Sequence, residues 1–151
     1  MKPAPANWSR FSSALFYQDA AAAIDWLCRA FGFTVRIRVA DDSGRILHSE
    51  LCYGEGVLMV AQESATSTHA WAASMRSPRS LGGACTQSIM FYVDDVEAHC
   101  AQARAQGAHI VEEPSTQDYG PDYWSDRAYA ARDPEGHLWW VSQRLRDPPR
   151  A

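Results

Sequence analysis

Hydrophobic positions along the first 62 residues switch between two periods, and the switch defines the elements. Ala14 to Tyr17 reads as a short strand, and Asp19 follows it as an N-cap. Ile24, Leu27, Cys28 and Phe31 then recur at three-and-four spacing, the mark of one buried helical face, with Asp25 and Arg29 turned outward. Gly32 closes that helix, because a residue without a Cβ enters the left-handed region at little cost. Strands are expected at Thr34 to Val39, Ile46 to Tyr53 and Val57 to Ala61, parted by the turn sequences Asp41 to Gly44 and Gly54 to Gly56. The order is β-α-β-β-β.

The same order returns in the second half. A strand at Ile89 to Val93 precedes Asp94, which with Glu97 three residues on forms a capping-box pattern, and a helix closed by Gly107 buries Val96, Cys100 and Ala103. A single shift of 75 positions places Phe16 and Tyr17 on Phe91 and Tyr92, Asp19 on Asp94, Arg29 on Arg104 and Gly32 on Gly107. Strands follow at Ile110 to Glu112, Arg127 to Arg132 and His137 to Gln143. Asp133-Pro134-Glu135-Gly136 joins the last two as a type I turn. The expectation is one α+β domain over residues 1–151, with module one at 11–62, a linker at 63–86 and module two at 87–144. Trp71 and Met75 are expected to pack part of the Ser- and Thr-rich linker, and the proline-bearing termini read as loose arms.

Composition narrows the function classes. The chain of 151 residues is 46% apolar, enough for a core, and its formal charge of −4 is spread rather than blocked. No basic stripe suits phosphates, so nucleic acid is not an expected partner. No apolar run has the length of a membrane span, Met1 to Pro5 lacks the apolar stretch of a signal peptide, and the chain is read as cytoplasmic with no membrane partner. Cys28, Cys52, Cys85 and Cys100 form no paired metal or redox spacing and read as buried thiols. His48, His69, His99, His109 and His137 show no metal-binding spacing either.

The internal repeat, the stretch Asp19 to Phe33 and the run Arg132 to His137 together resemble the glyoxalase/bleomycin-resistance/extradiol-dioxygenase (vicinal oxygen chelate) superfamily, with its PhnB-like branch nearest. The resemblance covers Ser12 to Gln143. It implies curled mixed sheets around a concave cavity, with helices on the convex side, and a homodimer whose cavities are completed across an interface. Metal-using members place ligands on the first and last strands of each module, which carries over to Ser12, Met59, Ser88 and Trp140. Hydroxyl and thioether are weak donors and an indole has no free lone pair, so no metal and no cofactor is expected. An atypical site using His48 and Glu50 stays open, because their parity puts both on one face.

Strand alternation extends the candidate site. If Trp140 faces the cavity, so do Ser142, Ser88, Met90, Tyr92 and Met59, while Trp139 and Val141 pack beneath. Pairing Arg132 with His137 across the turn would set Tyr129 opposite Trp140. The segment Asp118 to Asp126 adds Tyr119, Tyr123, Trp124 and three acids as a lid, which favours a cationic planar guest. Glu50, Glu112, Glu113 and Asp126 are carboxylates on or near strands, read mainly as solvated, with Glu50 the best candidate for acid-base work. The first functional expectation is a metal-free binding protein that sequesters a planar small molecule, as bleomycin-resistance members do. The alternatives are a lyase, isomerase or dioxygenase with a non-standard site, and an interaction module whose cavity is filled core.

Overall fold

The computed structural model describes residues 1–6 and 8–149. The chain divides into two compact units, Met1–Ala84 and Cys85–Ala151, each a four-stranded mixed sheet with one long helix. The first unit contains β1 (Ser13–Tyr17), α1 (Ala20–Phe31), β2 (Thr34–Ala40), β3 (Ile46–Tyr53), β4 (Gly56–Gln62) and the short α2 (Ala70–Ser74). The second contains β5 (Ser88–Tyr92), α3 (Val96–Ala105), β6 (His109–Asp118), β7 (Ser125–Arg132) and β8 (Leu138–Arg146). The strand orders are β1-β4-β3-β2 and β5-β8-β7-β6, with the first and last strands of each module parallel and the remaining pairs antiparallel. Among the described residues no helix is long and apolar enough to cross a membrane.

Each helix covers one face of its own sheet and leaves the other open. In the first unit Ile24, Leu27, Ala30 and Phe31 of α1 are buried, as are Leu15, Leu51, Leu58 and Val60 of the sheet. Cys28 is only half-buried, because the helical face rotates toward Ala23 and Trp26. In the second unit a layer of rings lies beneath the sheet. Phe91 meets His99 and Trp139 edge-on, and the Tyr129 hydroxyl and His99 Nδ1 lie 2.8 Å apart. Burial pushes the Cys100 thiol up, as it does Cys28, which suits inert side chains.

The helix starts show how the duplication is built. Asp19 accepts a hydrogen bond from Ala22 N–H, and Asp95 accepts one from Ala98 N–H. The second cap is therefore Asp95, not the expected Asp94, and no capping box forms, because Glu97 now stands one position early and pairs with Arg127 instead. A glutamine on the last strand serves each helix as well. Gln62 Oε1 accepts from Ala20 N–H at 3.1 Å, and Gln143 Oε1 accepts from Val96 N–H at 3.2 Å. The N-caps thus match at a shift of 76 (95 minus 19), and the shorter α3 brings Gly107 back to 75 (107 minus 32). Gly32, at φ 79, donates its N–H to the last carbonyls of α1.

Two further expectations change. The stretch read as a linker is pinned by a carboxylate rather than by aromatic packing: Trp71 and Met75 are exposed, while Glu63 accepts from Ser77 N–H, Ser80 hydroxyl and Arg76. Burial alone would raise the Glu63 pKa, but these donors outweigh it and hold the group low. The strand expected at Ile110 to Glu112 continues to Asp118 past Pro114. Proline is tolerated there because β6 is an edge strand, and the pairing with β7 shows irregularities on both sides of Glu112. Replacing Asp95 by Ala should cost about 1 kcal/mol of stability in chemical denaturation, and Asp94→Ala should cost almost none. The reverse ranking would restore the original cap.

Candidate functional site

The open face of the second sheet is hollow, and the reason lies in one strand. Cross-strand register sets Met90, Trp140, Ala130 and Glu112 in one row, and Tyr92, Ser142, Ala128 and Ser115 in the next. β7 contributes only alanine at these two places, so the middle of the sheet is low while its flanks are tall. A third row carries Gln117, Asp126 and Arg144. The resulting cavity of about 360 Å³ is lined by these side chains together with Tyr119 and Trp124, apart from Arg144, which lies beside it, and Ala130, which is buried beneath it. That volume falls within the range of about 300 to 1,000 Å³ usual for small-molecule sites.

Alternation along β8 separates two tryptophans. Trp139 and Val141 are fully buried on the helix side, whereas Trp140 is half-buried and lines the cavity with Ser142. Met90 and Tyr92 on β5 are exposed at 54% and 41%, an apolar and aromatic surface left open to solvent. Ser88, on the same face, sits at the start of β5 and is not among the lining residues.

Tyr129 is a correction. Arg132 pairs with Leu138, one residue later than expected, because the turn closes from Asp133 N–H to the His137 carbonyl. Trp140 therefore stands opposite Ala130, and Tyr129 is turned to the helix side with no exposed surface. The residue opposite Trp140 is instead a small, buried alanine.

The loop between β6 and β7 differs from an acidic lid. Tyr119 and Trp124 lie 4.9 Å apart and both line the cavity, while Tyr123 meets Trp124 edge-on from outside and is not a lining residue. Two of the three acids are neutralised. Arg146 contacts both oxygens of Asp118, at 2.6 and 3.1 Å, and Arg144 Nε donates to Asp126 Oδ1 at 2.5 Å. Arg144 also donates to the Tyr92 hydroxyl and stacks near the Tyr92 and Trp124 rings, with its pKa raised first by Asp126. This guanidinium holds the lining residue Tyr92 in place and supports the loop through Trp124.

The first unit carries the remaining candidates on its own sheet. The Ser12 hydroxyl donates to the Val57 carbonyl at 2.7 Å, and Met59 is half-buried opposite Ala14, on the face turned away from Leu58 and Val60. Glu50 and His48 do share a face and meet, His48 Nε2 lying 3.0 Å from Glu50 Oε1. Glu50 is 7% exposed, with Arg36 Nε 3.3 Å from Oε2, which lacks a well-formed hydrogen bond among the described residues.

A divalent metal does not fit the family positions. Two hydroxyls, a thioether and an indole are the available groups at Ser12, Ser88, Met59 and Trp140. One imidazole and one carboxylate at His48 and Glu50 fall short of the three or more protein ligands of an ordinary site, and among the described residues no three His, Cys, Asp or Glu side chains converge.

The loop anchor has a defined pH dependence. Arg146, then the Gly120 N–H, hold Asp118 at about 2, below the ordinary aspartate range. A folded value below the unfolded one means that the contribution is complete above the unfolded pKa and is lost as pH falls through about 2. In Arg146→Gln the Asp118 titration, followed by carboxyl carbon NMR, should move up toward the ordinary range. A midpoint unchanged by that substitution would show that Arg146 is not the cause.

Comparison with known proteins agrees with this architecture. The family model described as Glyoxalase/Bleomycin resistance protein/Dioxygenase superfamily matches residues 11–141. The crystal structure of TioX from Micromonospora sp. ML1 is similar at 34% identity and a TM-score of 0.68, covering 91% of this chain and 99% of that one. A glyoxalase/bleomycin resistance protein/dioxygenase family enzyme from Burkholderia phytofirmans PsJN shares the fold at 19% identity and a TM-score of 0.65, covering 89% and 97% of the two chains. Protein Rv0887c of Mycobacterium tuberculosis is 30% identical over 136 residues, which are 90% of this chain and 75% of that protein. Repeated modules, matching sheets and a family match across most of its length place the chain in one group: it belongs to the glyoxalase/bleomycin resistance protein/dioxygenase superfamily.

Proposed function

We propose that this protein binds and sequesters a flat, partly apolar small molecule in the hollow of its second module, without a metal, in a role of the bleomycin-resistance kind. The observation that carries the reading is the half-buried Trp140 lining a hollow whose floor on β7 is Ala128, with the buried Ala130 opposite the indole. An indole next to a low, apolar floor offers a stacking surface, and Met90, Tyr92 and Trp124 extend it. Ser142, Ser115 and Gln117 supply hydrogen-bonding groups around the rim. The same resemblance in Asp19 to Phe33 supports placement in the PhnB-like branch.

The two adjacent tryptophans make the test clean. Trp140→Ala should weaken binding of a planar probe such as acridone by about 1 to 3 kcal/mol while leaving most of the folding stability. Trp139→Ala should instead cost about 3 to 5 kcal/mol of stability, measured by denaturant unfolding, since it empties the core. Acridone affinity unchanged by Trp140→Ala would rule out the stacking site.

An enzymatic reading has one specific support, the pairing of His48 with the buried Glu50, which orients an imidazole on the open face of the first sheet. Elemental analysis of the purified protein checks the two readings on the side of the metal. The expected result is no stoichiometric zinc, nickel, manganese or iron, and one tightly held ion per chain would overturn metal-free sequestration.

A further inference from the structure

The charge around the hollow is distributed unevenly. Among the acids of the second unit, Glu113 is paired with Arg104, Glu97 with Arg127, Asp118 with Arg146, and Asp126 and Asp147 with Arg144. Asp133 accepts from Trp139 Nε1 and from two backbone N–H groups. Two carboxylates line the cavity, Asp126 and Glu112. Asp126 is spent on Arg144 and on the Tyr92 hydroxyl, which donates to Oδ2 at 3.1 Å. Glu112 has no ion-pair partner among the described residues.

We propose that Glu112 is the charge-selecting residue of this site and that the guest is a planar ring system carrying a protonated amine on a short arm. The proposal rests on the stacking site at Trp140 and adds the position of the cation. Glu112 and Trp140 stand in one row with Ala130 between them, two strand spacings apart. At about 4.8 Å per strand, their backbones are separated by about 10 Å. Trp140, Ala128 and Glu112 line the same cavity, so a ring stacked on Trp140 leaves an arm of a few atoms to cross the hollow and bring an ammonium to Glu112. The small, buried Ala130 does not rise between ring and charge.

The neighbouring cations do not cancel the preference. Arg127 is held by Glu97 and by the Thr116 hydroxyl, Arg104 grips Glu113 with one nitrogen 2.7 Å from each carboxylate oxygen, and Arg144 is shared between Asp126 and Asp147. The lid acids first suggested a cationic guest, yet their own arginines neutralise two of them. Selectivity passes instead to a strand residue at the opposite edge of the hollow.

Two probes separate this proposal from the one beneath it: N-(dimethylaminopropyl)acridone, cationic at neutral pH, and its uncharged N-(methylpentyl) isostere. At low salt the wild-type protein should favour the cationic probe by about three- to fivefold, in keeping with a partly exposed charge pair, and added salt should shrink the preference. Glu112→Gln should equalise the two probes, Glu112→Lys should reverse their order, and Trp140→Ala should weaken both. Equal binding of both probes by the wild type, or a cation preference that survives Glu112→Gln, overturns the role of Glu112 and leaves the stacking site standing. Failure of both probes to bind sinks the stacking site and this proposal together.

Discussion

A single carboxylate sets the phase of the strand on which the hollow depends. Asp133 Oδ1 accepts the N–H groups of Glu135 and His137, which shapes the turn, and Oδ2 accepts the indole N–H of Trp139 at 3.0 Å. Tying the turn to that indole holds Trp139 on the helix side of β8. Since neighbouring residues in a strand point to opposite faces, Trp140 must then look outward. A register slip of one residue would bury the other tryptophan and empty the site. Asp133 is itself buried, so leaving any of these donors without a partner would carry a desolvation cost as well as a geometric one.

The two modules use the same backbone devices for different surfaces. Each helix is capped by an aspartate and by a glutamine from the last strand, and each second strand has a register shift at the same place, between Val35 and Ile37 and between Ile110 and Glu112. The outward faces diverge. The row that reads Met90, Trp140, Ala130 and Glu112 in the second module has Ala14 and Met59 on its first two strands in the first, and Glu50 paired with Ile37 on the other two. The acid has moved inward by one strand, where Arg36 and His48 meet it. Duplication preserved what a curled sheet needs to hold its helix and left the open face free to change.

Much of the architecture was legible without coordinates because it depends on local patterns. Three-and-four spacing located α1, glycines ended both helices, and the Asp-Pro-Glu-Gly turn marked the last hairpin. The placement of Trp139 below and Trp140 above the sheet also followed from alternation once one of them was assigned. Two of the readings that failed did so by one residue. Asp94 was favoured over Asp95, and His137 was paired where Leu138 belongs, because adjacent aspartates and neighbouring turn lengths look alike until the backbone chooses its hydrogen bonds. The tail of β6 was missed since Pro114 reads as a strand terminator unless the strand is known to be an edge.

By itself, then, the order of side chains determined the module, its repetition, the family and the absence of good metal donors at the inherited positions. These follow from periodicity and from the chemistry of each residue alone. Only the folded sheet decided that Ala130 rather than Tyr129 stands opposite Trp140, that the arginines at 144 and 146 pair with Asp126 and Asp118, and that Glu112 lines the hollow with no ion-pair partner among the described residues. Register across strands and pairing of distant charges are properties of which segments meet, and a one-residue shift in a turn changes both.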